Sequence, residues 1–199
     1  MGCLKNFIRA IVLTLAVVGF LALGGKDLIG GMVKNWFNPS QDVMLERAKK
    51  VGDFSNINDE FELEKAAGIM GYNAVVAEHK ASGQKMFVVD SKDKTILTKE
   101  DITSNNVEEK LQNALKKVKY QAISVDDIQV TKRGTLSSYG KDVPYVKFEA
   151  KVKKLPIGDV GGIVSVVTTN KGEQRLLVSV NEKNKYSQLI SDEFFKKIK

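Results

Sequence analysis

The residue types that could do chemistry are few and poorly placed for it. The single histidine is His79, so any Ser-His-Asp arrangement would have to use it. No G-x-S-x-G elbow accompanies it. His79 ends a strand-like run beside a turn, which predicts a surface position. Asp53 and the adjacent pair Asp126-Asp127 could hold a hard cation or serve in acid–base work. Nothing fixes their spacing to one another, and an Asp pair where a strand changes phase reads as a solvated bulge. Gly158, Gly161 and Gly162 lack a following Lys-Ser/Thr and a following helix, so they make no phosphate cradle. The run from Leu155 to Gly162 is predicted as a flexible loop, a plausible contact surface on a rigid sheet. Cys3 is the only cysteine. Beyond it there is no thiolate, no disulfide and no His/Cys metal site. No catalytic, cofactor-binding or metal-ligating residue is nominated, and no cofactor is expected.

The apolar stretch from Phe7 to Gly25 sets the layout. Ala10 to Leu23 carries no charge and one hydroxyl, Thr14. With its flanks it approaches the ~20 residues that cross a hydrocarbon core. Lys5 and Arg9 precede it, whereas Lys26 and Asp27 follow and cancel. That bias places residues 1–6 in the cytoplasm and everything after the span outside. Residues 7–25 are therefore expected to be an uncleaved signal anchor, 26–40 a linker, and 41–199 one extracytoplasmic domain. Cleavage near Gly24, giving a secreted form, is the competing reading, although Ala22-Leu23-Gly24 is a poor A-x-A match. Asn6 stands where myristoylation wants Ser or Thr. Cys3 precedes the apolar run, so it is not a lipoprotein cysteine.

The net charge is +7. Lys5, Arg9, Lys26 and Lys34 against Asp27 give the first 39 residues +3, which leaves +4 for the rest. Lysines crowd at 116–119, 151–154 and 196–199. Such an excess suits an anionic lipid surface or an acidic protein partner. Arginine is scarce and no aromatic residues interleave with the basic ones, which argues against nucleic acid.

The elements follow from periodicity. Ser40 and Asp42 open a short helix with Val43, Met44, Ala48 and Val51 on one face, ended by Gly52. Phe61, Leu63, Lys65 and Ala67 alternate with Glu62, Glu64 and Ala66. Tyr72 to His79 and Gln84 to Asp90 form a hairpin across Ala81-Ser82-Gly83. Thr95 to Leu97 suggests a short strand, and Thr98 with Asp101 a local cap. Val107, Leu111, Ala114, Leu115 and Val118 recur at helical spacing, with acids early and lysines late. Ile123 and Val125 lose phase at Asp126-Asp127 to Ile128 and Val130, which predicts a bulge. Ser137 to Lys141 turns the chain. Val146, Phe148, Ala150 and Val152 then alternate with Lys147, Glu149, Lys151 and Lys153, a strand with one wet face. Ile163 to Thr169 and Glu173 to Asn181 pair across Asn170-Lys171-Gly172. Ser187 is expected to cap a last helix whose Leu189, Ile190, Phe194 and Ile198 face the sheet.

The predicted class is α+β: an N-terminal transmembrane helix, then one antiparallel sheet packed with helices in the order α-β-β-β-α-β-β-β-β-α. From about Phe54 to Lys199 this order resembles the PsbP-like family. The most suggestive part is the ending, from Gly172-Glu173-Gln174 through a strand to Tyr186 and Phe194-Phe195-Lys196-Lys197. The resemblance implies an antiparallel sheet sandwiched by helices and a non-enzymatic accessory role, binding or assembling other proteins at a membrane. The residues themselves also leave open an exported hydrolase or small-ligand-binding domain without a recognisable motif.

Overall fold

A computed structural model describes residues 41–69, 72–90, 97–116, 124–153 and 159–199. The anchor, its cytoplasmic flank, the linker, the strand expected around Thr95 and Gly158 lie outside the described residues. Among the described residues no helix is long and apolar enough to cross a membrane.

Among the described residues, seven strands form one antiparallel sheet. In chain order they are β1 (Phe61–Ile69), β2 (Tyr72–His79), β3 (Gln84–Asp90), β4 (Ser124–Ser138), β5 (Lys141–Lys153), β6 (Val160–Thr168) and β7 (Gln174–Glu182). Their spatial order is β1-β2-β3-β7-β6-β5-β4. Two meanders therefore meet: β1 to β3 runs inward from one edge, and β4 to β7 runs inward from the other. They join where β3 pairs with β7, from Lys85 opposite Val180 to Asp90 opposite Arg175. Among the described residues there are also four helices: α1 (Gln41–Val51), α2 (Lys99–Thr103), α3 (Val107–Lys116) and α4 (Gln188–Lys197).

Residue parity assigns the two faces. Val76, Phe87, Val89, Val146, Phe148, Val164, Val166, Leu176 and Val178 point to the face covered by Ile102 of α2 and by Val107 and Leu111 of α3. Val75, Ala77, Met86, Val88, Tyr145, Ile163, Val167 and Leu177 point to the face covered by Ala48 and Val51 of α1 and by Phe194 and Phe195 of α4. Covering both faces explains why β6 and β7 are apolar almost throughout, since a central strand has no wet side. Each such side chain stabilises the fold by about 1.5–3 kcal/mol on burial.

Most predicted elements form, with several corrections. The Thr98 and Asp101 cap is a full capping box that opens α2, a short helix ahead of the predicted one. In β1 the register slips between Leu63 and Lys65. Phe61, Leu63 and Ala66 thus share the buried face, and the strict alternation through Lys65 and Ala67 is lost. The predicted bulge at Asp126-Asp127 forms, with Asp127 at φ 50, and a second slip follows between Val130 and Lys132. Gly161 and Gly162 are not loop residues: they are buried in β6. A Cβ on Gly162 would stand 2.9 Å from Phe148 Cζ, with the Ser179 carbonyl oxygen closer still. Glycine is needed there so that strand and ring can approach. Leu189 does not face the sheet but is 79% exposed, and Ser191 and Phe195 take the inward positions instead. Ser187 holds the N-cap position of α4 without a side-chain cap bond.

Candidate functional site

Three groups of polar side chains stand out, each held by different elements. In the first, two carboxylates converge in the way acid–base chemistry needs. Glu64, at the β1 bulge, lies 2.7 Å from Lys85 Nζ, and Lys85 also pairs with Glu78 across the β2–β3 ladder. Burial raises the Glu64 pKa, and Glu78 adds to that, while Lys85 opposes both. The ammonium sits between the two carboxylates, where a reacting oxygen would have to lie. The triad therefore pins the bulge, rather than presenting an acid and a base to a substrate.

The second group is a buried hub around Arg175, which is 2% exposed. Its Nη1 donates to Asp90 Oδ1 at 2.8 Å and its Nη2 to Glu173 Oε2 at 2.7 Å. Nε donates to the Val51 carbonyl at 3.0 Å and Nη2 to that of Lys50 at 3.3 Å. Those carbonyls end α1 and have no partner within the helix. A cation at that end also complements the helix dipole. Tyr139 Oη donates to the same Val51 carbonyl at 2.7 Å. Tyr139 and Gly140 both have positive φ (52° and 68°) and form the two-residue turn of the β4–β5 hairpin. A bulky residue in that region is strained by about 1–3 kcal/mol, and the bond to Val51 helps offset it. Burial drives the Tyr139 pKa upward against the nearby guanidinium, so the phenol stays a donor.

The same face carries a neutral network. Gln84 Nε2 donates to Ser179 Oγ at 3.0 Å, to the Ser187 carbonyl at 2.9 Å and to Ser191 Oγ at 2.9 Å. Gln84 Oε1 accepts from the Ser187 amide at 2.8 Å. Tyr186 Oη lies 3.0 Å from Ser191 Oγ. One glutamine thus replaces the missing cap of α4 and fixes that helix on the sheet.

The third group is at the surface. Asn56, Glu193, Lys196, Lys197 and Lys199 line an open depression of about 440 Å³. Two backbone bonds build its floor: the Asp53 amide donates to Lys199 O at 2.7 Å, and the Lys199 amide to Asp53 O at 3.2 Å. That pairing brings the C-terminal ends of α1 and α4 together. Lys49, in the last turn of α1, is near enough to help lower the Asp53 pKa, although the Ser55 amide is the main cause. Glu193 accepts from Asn58 Nδ2 at 2.9 Å. Among the described residues, Lys49, Lys196, Lys197 and Lys199 form no ion pair.

The residues weighed from the sequence are not brought together. His79 Nδ1 sits 2.9 Å from Ser82 Oγ and its ring meets Phe61 edge-on, so it is a half-buried turn residue. Asp53 accepts from the Ser55 amide at 2.9 Å. Asp127 is exposed and lies 3.8 Å from Lys151. Asp53 is beside the Tyr139 turn, whereas Asp127 is near the other end of β4, about 35 Å away at strand rise. Among the described residues no cluster of three or more His, Cys, Asp or Glu is placed to hold a metal ion. Arg175, Gln84, Ser179 and Ser191 were not anticipated. An arginine in a strand otherwise buried on both sides, Gln174 to Glu182, was the available signal, because such a charge demands a partner.

No protein-family model matches the chain. No curated protein matches it. Among solved structures, the chain is similar to the solution structure of cyanobacterial PsbP (CyanoP) from Synechocystis sp. PCC 6803. The likeness is to a PsbP protein. It spans 72% of this chain and 83% of that one, at 13% sequence identity and a TM-score of 0.43. This is the same family that the order of elements resembles.

Proposed function

We propose that residues 41–199 form an extracytoplasmic accessory domain, tethered by residues 7–25, that works by surface contact in holding or assembling a membrane complex. The observation that carries this reading is how the ionisable interior is used. Arg175, Asp90, Lys85 and Glu64 are all engaged with one another or with helix ends, and they serve the positions of α1 and the β1 bulge. The basic depression by the end of α4, in contrast, gathers charge at the surface. Surface charge of this kind recruits partners rather than transforming them.

Crosslinking in intact membranes tests the reading. A small, reproducible set of partners is expected. A monomer that crosslinks to nothing under every growth condition would count against it. Topology has its own test: protease added to sealed cells should degrade residues 41–199, and protection until lysis would overturn the extracytoplasmic placement.

A further inference from the structure

We propose that the depression between the ends of α1 and α4 is a lipid-facing surface that rests on anionic phospholipid headgroups. This rests on the anchored reading above and names what the face touches. The lysines that line it are Lys196, Lys197 and Lys199, on and after α4, and Lys49 of α1 lies close by, within electrostatic reach of Asp53. Lysines in the last turn of a helix complement about half a negative charge per helix end. Three lysines against Glu193 and the end of α4, with Lys49 set against Asp53, still leave a net positive charge here. Glu193, the one carboxylate among the lining residues, keeps its charge while it accepts from Asn58.

The form of the site favours a bilayer over a single anion or a peptide carboxylate. It is open, and it uses lysine only. Lysine ammoniums are mobile point charges that follow a field, whereas reading one planar carboxylate calls for the arginine fork. Arg47 of α1 is not among the lining residues, and Arg175 is sealed inside the fold. The outer stripe of α4 adds an apolar contact: Leu189, Glu193 and Lys196 are spaced i, i+4, i+7, and Leu189 is 79% exposed. An exposed leucine on the same stripe as lysines is the arrangement that interfacial helices use. Residues 26–40 reach at most about 50 Å when extended. A domain tethered by residues 7–25 would therefore stay within reach of the headgroups, and weak contacts would be amplified by local concentration.

Full-length protein carrying Cys3→Ser and a dye on Ser55→Cys would be reconstituted into phosphatidylcholine vesicles with and without phosphatidylglycerol. Energy transfer to a headgroup acceptor reports how close the face lies. Flotation that resists alkaline carbonate reports the anchor separately. The expected result is equal flotation in both vesicles, with strong transfer only in the anionic ones, abolished by high salt. Each basic side chain at an anionic surface is worth about fivefold, so Lys196→Glu, Lys197→Glu and Lys199→Glu together should weaken the contact about a hundredfold. A thermal melt of the triple variant controls for folding. Transfer that ignores lipid charge, or survives the triple reversal, overturns the proposal. So does loss of a crosslinked acidic protein with transfer unchanged, which would assign the face to that protein. Failure to float on neutral vesicles overturns the anchor alone, and charge-dependent transfer would still support the lipid face.

Discussion

The two sides of the sheet are built on different terms. The side under α2 and α3 is hydrocarbon: Phe87, Phe148, Ile102, Leu111 and a run of valines. The side under α1 and α4 mixes aromatic packing with buried polar groups. Phe194 meets Phe61 at 5.2 Å and Phe195 at 5.5 Å between ring centres, while Arg175, Gln84, Ser179 and Ser191 are buried beside them. Hydrocarbon packing is non-directional and tolerates shape-conserving changes. Hydrogen bonds that must all be satisfied do not. α2 and α3 are therefore held on the sheet by area, and α1 and α4 are held at one setting by partners.

This contrast can be broken most sharply at Arg175. Arg175→Ala strips Asp90 of its guanidinium and uncaps α1, and should cost about 3–5 kcal/mol, measured as a lower urea midpoint. On the other side, Leu111→Ala should cost about 2–5 kcal/mol, yet Leu111→Met should cost less than about 1.5 kcal/mol. An apolar swap has no such safe form at Gln84. Gln84→Leu leaves the Ser187 amide without its acceptor, for about 1–3 kcal/mol. A double-mutant cycle with Ser191→Ala should show coupling, and additivity would refute a linked network.

Alkali sharpens the same comparison. Burial raises the pKa of Tyr139 and of Tyr186, both on the polar side. Groups raised on folding contribute stability that is fully present below their unfolded value, near 10, and lost as pH climbs toward the folded one. The urea midpoint should hold from neutral pH to about 9 and fall above 10. Tyr139→Phe should flatten that fall. The smallest effect is expected at Leu189: Leu189→Ser should change stability by less than about 0.5 kcal/mol, because its side chain touches little of the core.

What the sequence made legible was local. β2 and β3 have the predicted limits because their apolar runs end at His79, the Ala81-Ser82-Gly83 turn and Asp90. The Asp126-Asp127 bulge was visible as a change of phase. Gly161 and Gly162 were read as loop because glycine signals flexibility in isolation. Their real partners are Phe148 on the next strand and Tyr186, whose Cβ would stand 3.4 Å from a Cβ on Gly161. The Leu189 error came from period alone: apolar spacing cannot say that Ser191 would turn inward to meet Gln84, 107 residues away in the chain. The basic depression was half legible. The lysines at 196–199 were plain, but their approach to α1 depends on the pairing of Asp53 with Lys199.

That pairing also bears on how the two helices depend on one another. Ile198 is buried, its carbonyl accepts from the Tyr139 amide at 3.0 Å, and Lys199 closes on Asp53. Phe54, just past α1, and Phe61 of β1 both meet the ring of Phe194 on α4. Segments far apart in the chain therefore latch one another, and loosening either one frees both.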